Sequence, residues 1–268
     1  ALSATGSDIT VTTSTFERNS ATGNGAALHA NRGSLDVFST TFKDNQAYNN
    51  AGAIYSSAIE TAVASSAFIA NQSTGCDGGA LFLSGTEASL LESSLFGNWA
   101  RTGGAVYATR SDTETDATVE IQGSIFQEND GLYGAGGMFV DGPVNLAVHN
   151  NTFIGNASLS TGSAANIRVE SNTADIRNNI VAWGVNGSGI SLSVSATETA
   201  IVRHNNVFEN VDDYDGFEPT EDSGNFSLNP KLRAHSFDEN FDNDDLFLRP
   251  DSPCLGAADP ELESVLAD

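Results

Sequence analysis

The sequence predicts an all-β protein: one right-handed parallel β-helix of about eight coils over residues 1–210, with an irregular acidic C-terminal cap over 211–268. Three observations predict it. The first is a phrase of an aromatic residue, two further residues and an asparagine that recurs about every 27 residues. It reads Phe16-Glu17-Arg18-Asn19, Phe42-Lys43-Asp44-Asn45 and Phe68-Ile69-Ala70-Asn71, then Leu95-Phe96-Gly97-Asn98, Phe126-Gln127-Glu128-Asn129 and Phe153-Ile154-Gly155-Asn156, and fades at Val181 and Phe208. With Phe96 and Phe208 taken as the marks of their copies, the steps are 26, 26, 28, 30, 27, 28 and 27 residues. A fixed period of 20–50 residues is the signature of a solenoid. The second is a small-residue run that keeps time with the aromatic, as in Gly52-Ala53-Ile54-Tyr55, Gly79-Ala80-Leu81-Phe82 and Gly104-Ala105-Val106-Tyr107. The third is period-two alternation in short runs such as Ala117-Thr118-Val119-Glu120-Ile121, which means strands, with no sustained 3.6-residue apolar pattern anywhere.

Each element then has a physical place. Parallel strands of successive coils lie about 4.8 Å apart, so equivalent residues stack into columns. Phe16, Phe42, Phe68, Phe96, Phe126, Phe153 and Phe208 are expected inside. Asn19, Asn45, Asn71, Asn129 and Asn156 are expected at bends, where each amide can bond the amides above and below. The small residues let backbone pass close at a tight corner. Right-handedness follows from the rule for crossover connections between parallel strands. After residue 210 the repeat stops, and Phe217, Phe226, Phe237, Phe241 and Phe247 punctuate a tail too aromatic for a disordered linker.

Composition narrows the setting. Thirty-five acids against 11 bases give a formal net charge of −24. That balance argues against nucleic acid and against anionic lipid as partners, since both need a basic patch. No apolar run reaches 18 residues, so no span is expected. A soluble extracellular surface, a high-salt habitat or divalent cations suit the acidity. The chain opens Ala1-Leu2-Ser3 and enters a strand-like run at Ile9 with no capping helix before it, so the first coil is expected to join further β-helix or to be covered by another subunit. Cys76 and Cys254 lie in different parts of the repeat map and are expected to be separate thiols, with a bridge requiring the tail to run back down the outside.

The repeats resemble those of the polymorphic outer membrane protein adhesins, through the Phe-x-x-Asn phrases and the Gly-Gly-Ala-Leu and Gly-Gly-Ala-Val tetrapeptides at 78–81 and 103–106. The tail, from Asn229-Pro230-Lys231-Leu232 to Asp245-Leu246-Phe247-Leu248 and on to Asp259, is similar to the closing segment of bacterial surface β-helix proteins of the choice-of-anchor type. The resemblance implies a surface-exposed β-helix passenger; the β-barrel translocator of the adhesin family is not among these residues.

Three functional expectations follow. The leading one is a non-catalytic secreted or cell-surface protein, adhesin-like or structural, that meets an extracellular ligand or polysaccharide and can stack end to end into a homo-polymer. The alternative is a polysaccharide lyase or glycoside hydrolase on an acidic polymer. It draws on His149-Asn150-Asn151, Arg177-Asn178-Asn179 and His204-Asn205-Asn206, whose steps of 28 and 27 would stack His149, Arg177 and His204 into a row able to bind an acidic sugar and abstract a proton. The plainer account is that a position beside an Asn bend accepts any polar residue. No cofactor is required, but Ca²⁺ has two candidate oxygen sites: Asp212, Asp213 and Asp215, or Asp242, Asp244 and Asp245. The first, with its Asp213-Tyr214-Asp215-Gly216 core, is not an EF-hand, because Val211 stands at position one and Asp222 at position twelve.

Overall fold

The computed structural model describes residues 1–58, 60–110, 117–160, 163–193, 200–238 and 240–263. Its strands coil upward in a right-handed solenoid of about seven turns. One complete coil shows the plan: Leu28–Asn31 forms a first wall, Ser34–Phe38 a second, Thr41–Lys43 a third, and Gln46–Ala47 a short fourth run. Each pairs in parallel with its equivalents in the coils above and below. Among the described residues, the third wall stacks eight strands and the fourth run six. The first two walls merge into one sheet because Met138–His149 and Ser163–Arg177 run through both without a break.

The interior column of the third wall is Phe16, Phe42, Phe68, Leu95, Phe126, Phe153, Val181 and Val207. Rings stack where they are adjacent, with centroids 4.9 Å apart for Phe42 and Phe68 and 4.4 Å for Phe126 and Phe153. Phe42, Phe68, Phe126 and Phe153 are fully buried. Two expectations are corrected here. Phe96 and Phe208 point outward, and Leu95 and Val207 take the interior places. The asparagine ladder sets the phase: Asn98 lies three residues after Leu95 and Asn210 three after Val207, the spacing of Phe42 and Asn45. Strand side chains alternate faces, so a slip of one residue sends the ring to the other side.

Two corners per coil use one residue in the left-handed region, followed at once by a ladder residue. At the corner after the third wall the pairs begin Arg18-Asn19, Asp44-Asn45 and Ala70-Asn71. The Asn45 side-chain amide donates to Asn71 Oδ1 at 2.9 Å and to Phe16 O at 2.9 Å; Asn71 and Asn98 repeat the pattern one coil on. The corner after the second wall carries another ladder. It starts with hydroxyls, Thr40, Ser66, Ser93 and Ser124, and changes to amides at Asn151, Asn179, Asn205 and Asn225. Buried backbone N–H groups at both bends are thereby satisfied, as a folded chain demands. At the turn into the first wall glycine is required where coils pass closest: a Cβ on Gly79 would lie 2.0 Å from the carbonyl oxygen of Gly104, whereas the first coil has Ala26 at the equivalent place.

The first part of the tail stacks on the last coil, where Phe226 bridges to Asn206 and Asn225 extends the ladder from Asn205. Tyr214–Asp215 adds a strand beside Gly187–Leu192, and Tyr214 and Phe217 pack against the core. Beyond that, Leu232–Ala234 and Asp245–Leu248 form an antiparallel hairpin that lies along the outer face of the third wall. Leu232, Leu246 and Leu248 cover Ile154 and Ala182, and Phe241 stacks on Phe96 at 5.0 Å. The tail therefore runs back along the outside. Cys76 and Cys254 are both free thiols.

Candidate functional site

The His/Arg row has a different membership from the one its spacing suggests. His149 pairs with Arg177 and Arg177 with Arg203. His204 occupies the corner instead, at φ +55°, where its equivalents are Asn150 and Asn178. The ladder Asn151, Asn179, Asn205 fixes this phase, so the last step is one residue shorter than it looks in the sequence.

The row also has acidic partners that one-dimensional spacing does not reveal. Asp175, two residues before Arg177 on the same face, accepts from Arg177 Nε at 2.6 Å and lies 3.4 Å from His149 Nε2. Burial raises the Asp175 carboxyl, but its contacts with His149 and Arg177 outweigh that and hold it below the usual range. Arg177 Nη1 reaches Asp259, itself 1% exposed, at 3.3 Å, and Arg203 Nη1 reaches Glu261 at 3.4 Å. The Asp259 backbone N–H donates to Asn178 Oδ1 at 2.7 Å, and Ala257 O lies 3.1 Å from His204 Nδ1. Residues 257–261 thus lie across the row. Its arrangement is that of a docking strip for the chain's own C-terminal segment.

The candidate calcium ligands are dispersed. Asp213 accepts from Asn210 and Ser227, and Asp215 from Ser191. Asp245 lies 3.6 Å from an Arg233 nitrogen. Asp212 and Asp242 are exposed. Only Asp244 enters a convergent group. Among the described residues, Glu128, His235 and Asp244 are the one set of potential metal ligands whose donor atoms all lie within 4.8 Å of one another. Glu128 comes from the left-handed corner of the fifth coil and the other two from the tail. Sequence reasoning singled out neither Glu128 nor His235, and no local signal joins residues 107 positions apart.

Among the described residues, a cleft of about 790 Å³ lined by Arg177, Arg203 and Phe217 lies beside the row, and two further surfaces are open to a partner. A cavity of about 710 Å³ beside the hairpin is lined by Trp183, Phe237, His235, Lys231, Arg233 and Arg249. It gathers three of the 11 bases in an otherwise acidic chain. On the first wall, His29, Tyr55, Phe82, Tyr107 and Phe139 form an outward ladder, with ring centroids 5.0–5.5 Å apart and the Arg168 guanidinium 5.3 Å from the last ring. Burial, together with Asp141 and Asp77 nearby, raises the Tyr107 phenol well above its ordinary value.

Comparison with known families agrees with this geometry. The repeat described as Chlamydia polymorphic membrane protein repeat matches residues 13–31 and 39–57. No characterised protein and no solved structure matches the chain. The family described as right handed beta helix region matches residues 57–229, well over half of the 268 residues. With its stacked walls, inward Phe column and paired polar ladders, the chain belongs to the right-handed β-helix family.

Proposed function

We propose that this protein is a non-catalytic, adhesin-like β-helix displayed at the cell surface, with its lateral faces as the contact surface. One observation carries the reading: the repeated polar columns are consumed by the protein itself. The amides and hydroxyls of both ladders bond one another and the backbone. In the His149–Arg177–Arg203 row, the nearest thing to a reactive array, His149 lies beside Asp175 of the neighbouring strand and the two arginines are engaged by the chain's own tail. A general base must reach a substrate proton within hydrogen-bond distance, and His149, the one candidate base of the row, is only 13% exposed beside Asp175.

The two polymorphic membrane protein repeats support the surface location. The stiff, repetitive solenoid supports a display role, because stacked coils offer extended surface without a precise polar constellation. Of the two open surfaces, the cavity beside Trp183 suits a polysaccharide best. It combines aromatic faces with Lys231, Arg233 and Arg249, which favour an acidic sugar chain. The first-coil strands pair on one side only, so a further rung, from a longer chain or a second copy, can add there.

The test is to label intact cells with an antibody to the folded solenoid and to incubate the purified protein with uronic-acid polymers. Surface labelling and salt-sensitive polymer binding without ultraviolet-absorbing unsaturated products or new reducing ends are expected. Unsaturated products that vanish in His149→Ala would replace this reading with a lyase. Hydrolytic products would do the same for a hydrolase.

A further inference from the structure

We propose that Glu128, His235 and Asp244 form a site for a divalent transition metal of the Zn²⁺ class, which clips the tail hairpin to the fifth coil. Three independent features point there. The first is convergence: the three donor atoms lie within 4.8 Å of one another, with His235 Nε2 3.7 Å from Glu128 Oε1. Ligands on a tetrahedral zinc ion are separated by roughly 3.4 Å, given metal–ligand bonds of about 2.1 Å. Shifts of about an ångström or less complete the geometry.

The second feature is an unexplained buried donor. The His235 side chain is only 6% exposed, and its Nε2 faces this group without a hydrogen-bond partner. Native structures rarely leave such a nitrogen unmatched, and an ion is one of the standard reasons for an exception. The ring is clamped, nearly parallel to Trp183 at 5.7 Å and edge-on to Phe237 at 4.4 Å, so Nε2 is aimed and held.

The third feature is an outer shell. The buried Gln127 amide donates to both Glu128 Oε1 and Asp244 Oδ2, drawing two like-charged carboxylates to one point. Ser236 N donates to Asp244 Oδ1 at 2.7 Å, leaving the other oxygen turned inward. Ligating carboxylates are commonly oriented in this way. The site lies between two clefts, the cavity lined by His235 and another of about 440 Å³ lined by Gln127 and Asp244, which give an ion a path inward.

The donor set decides the class of metal. One imidazole and two carboxylates make an N,O₂ set that a single water brings to four, which suits Zn²⁺ and its relatives. Ca²⁺ prefers six to eight oxygens and gains little from imidazole. The bound charge also balances, with two carboxylates against one dication.

The test uses the whole chain, stripped with chelator and dialysed. Zn²⁺ is titrated by calorimetry, Co²⁺ is added for its visible spectrum, and hairpin protection is followed by limited proteolysis. The expected result is one ion per chain, an intense four-coordinate Co²⁺ spectrum, a Tm raised by several degrees and slower cleavage of residues 232–248. Glu128→Gln and Asp244→Asn, which keep shape, should abolish these effects, while Asp242→Asn should leave them intact. Circular dichroism confirms that each variant is folded, and His235→Gln supplies a third ligand deletion should either fail. No Zn²⁺ or Co²⁺ binding to the folded wild type overturns the proposal. So does binding that survives the three ligand substitutions, or a preference for Ca²⁺ over Zn²⁺. The display role stands or falls separately, since polymer binding and cell labelling are read without the metal.

Discussion

At the scale of single residues, position in a column decides what a side chain is worth. Phe126 and Phe96 belong to neighbouring copies of one phrase, yet Phe126 fills the interior and Phe96 lies outside against Phe241. Phe126→Ala should therefore cost about 3–5 kcal/mol in a denaturant melt, because a cavity remains between Leu95 and Phe153. Phe96→Ala should cost clearly less and should loosen the hairpin first. Equal losses would contradict the register. Asn71→Ala is a different injury: it removes the acceptor of the Asn45 backbone N–H and of one Asn45 amide hydrogen, and the side-chain donor to the Phe42 carbonyl. Each buried group left unsatisfied costs roughly 1–3 kcal/mol, so this small truncation should rival a core deletion. The ladder asparagines were legible because they recur beside the aromatics. The second ladder was not, since its members change from hydroxyl to amide along the axis and share no letter. What they share is the ability to accept a backbone N–H at a corner.

At the scale of elements, the tail and the wall beneath it explain each other. Outward positions on the third wall pass from Glu17 and Lys43 in the first coils to Gln127, Ile154 and Ala182 where the hairpin lies. Arg177→Ala should release the C-terminal segment, because Asp259 would stay buried without its partner, a change that costs about 3–5 kcal/mol when a buried pair is broken. Hydrogen exchange over residues 257–262 should accelerate while the Phe column stays protected. The same contact sets an acid limit. Asp175 is held below its ordinary pKa, so its contribution is complete above the unfolded carboxyl value near 3.9 and is lost as pH falls through the lower folded value. A stability profile between pH 5 and 2 should show that loss in the wild type, and Asp175→Asn should flatten it. An unchanged acid limb in the variant would mean that other carboxylates dominate.

At the scale of the whole molecule, charge opposes what stacking achieves. A net charge of −24 on a chain of 268 residues repels itself, and salt screens that repulsion over a Debye length of about 10 Å at 0.1 M. Raising NaCl from low to moderate concentration should raise Tm. A fall would show that the Asp175 and Asp259 ion pairs outweigh the global field. Seven steps at the parallel-strand spacing make a solenoid roughly 34 Å long, which scattering in solution can check. A length several times greater would reveal coils added end to end.

The sequence by itself determined the solenoid, its period and the identity of one ladder, because a stacked coil repeats the same local environment and writes it as periodicity. Phase was less secure: Leu95 and Val207 are as apolar as the phenylalanines beside them, and only hydrogen-bonded asparagines distinguish inside from outside. The tail's path, the acidic partners of the His149–Arg177–Arg203 row and the meeting of Glu128 with His235 and Asp244 belong to tertiary structure alone. They join residues far apart along the chain through one-off contacts. Nothing repeats in them, so no pattern of letters records them.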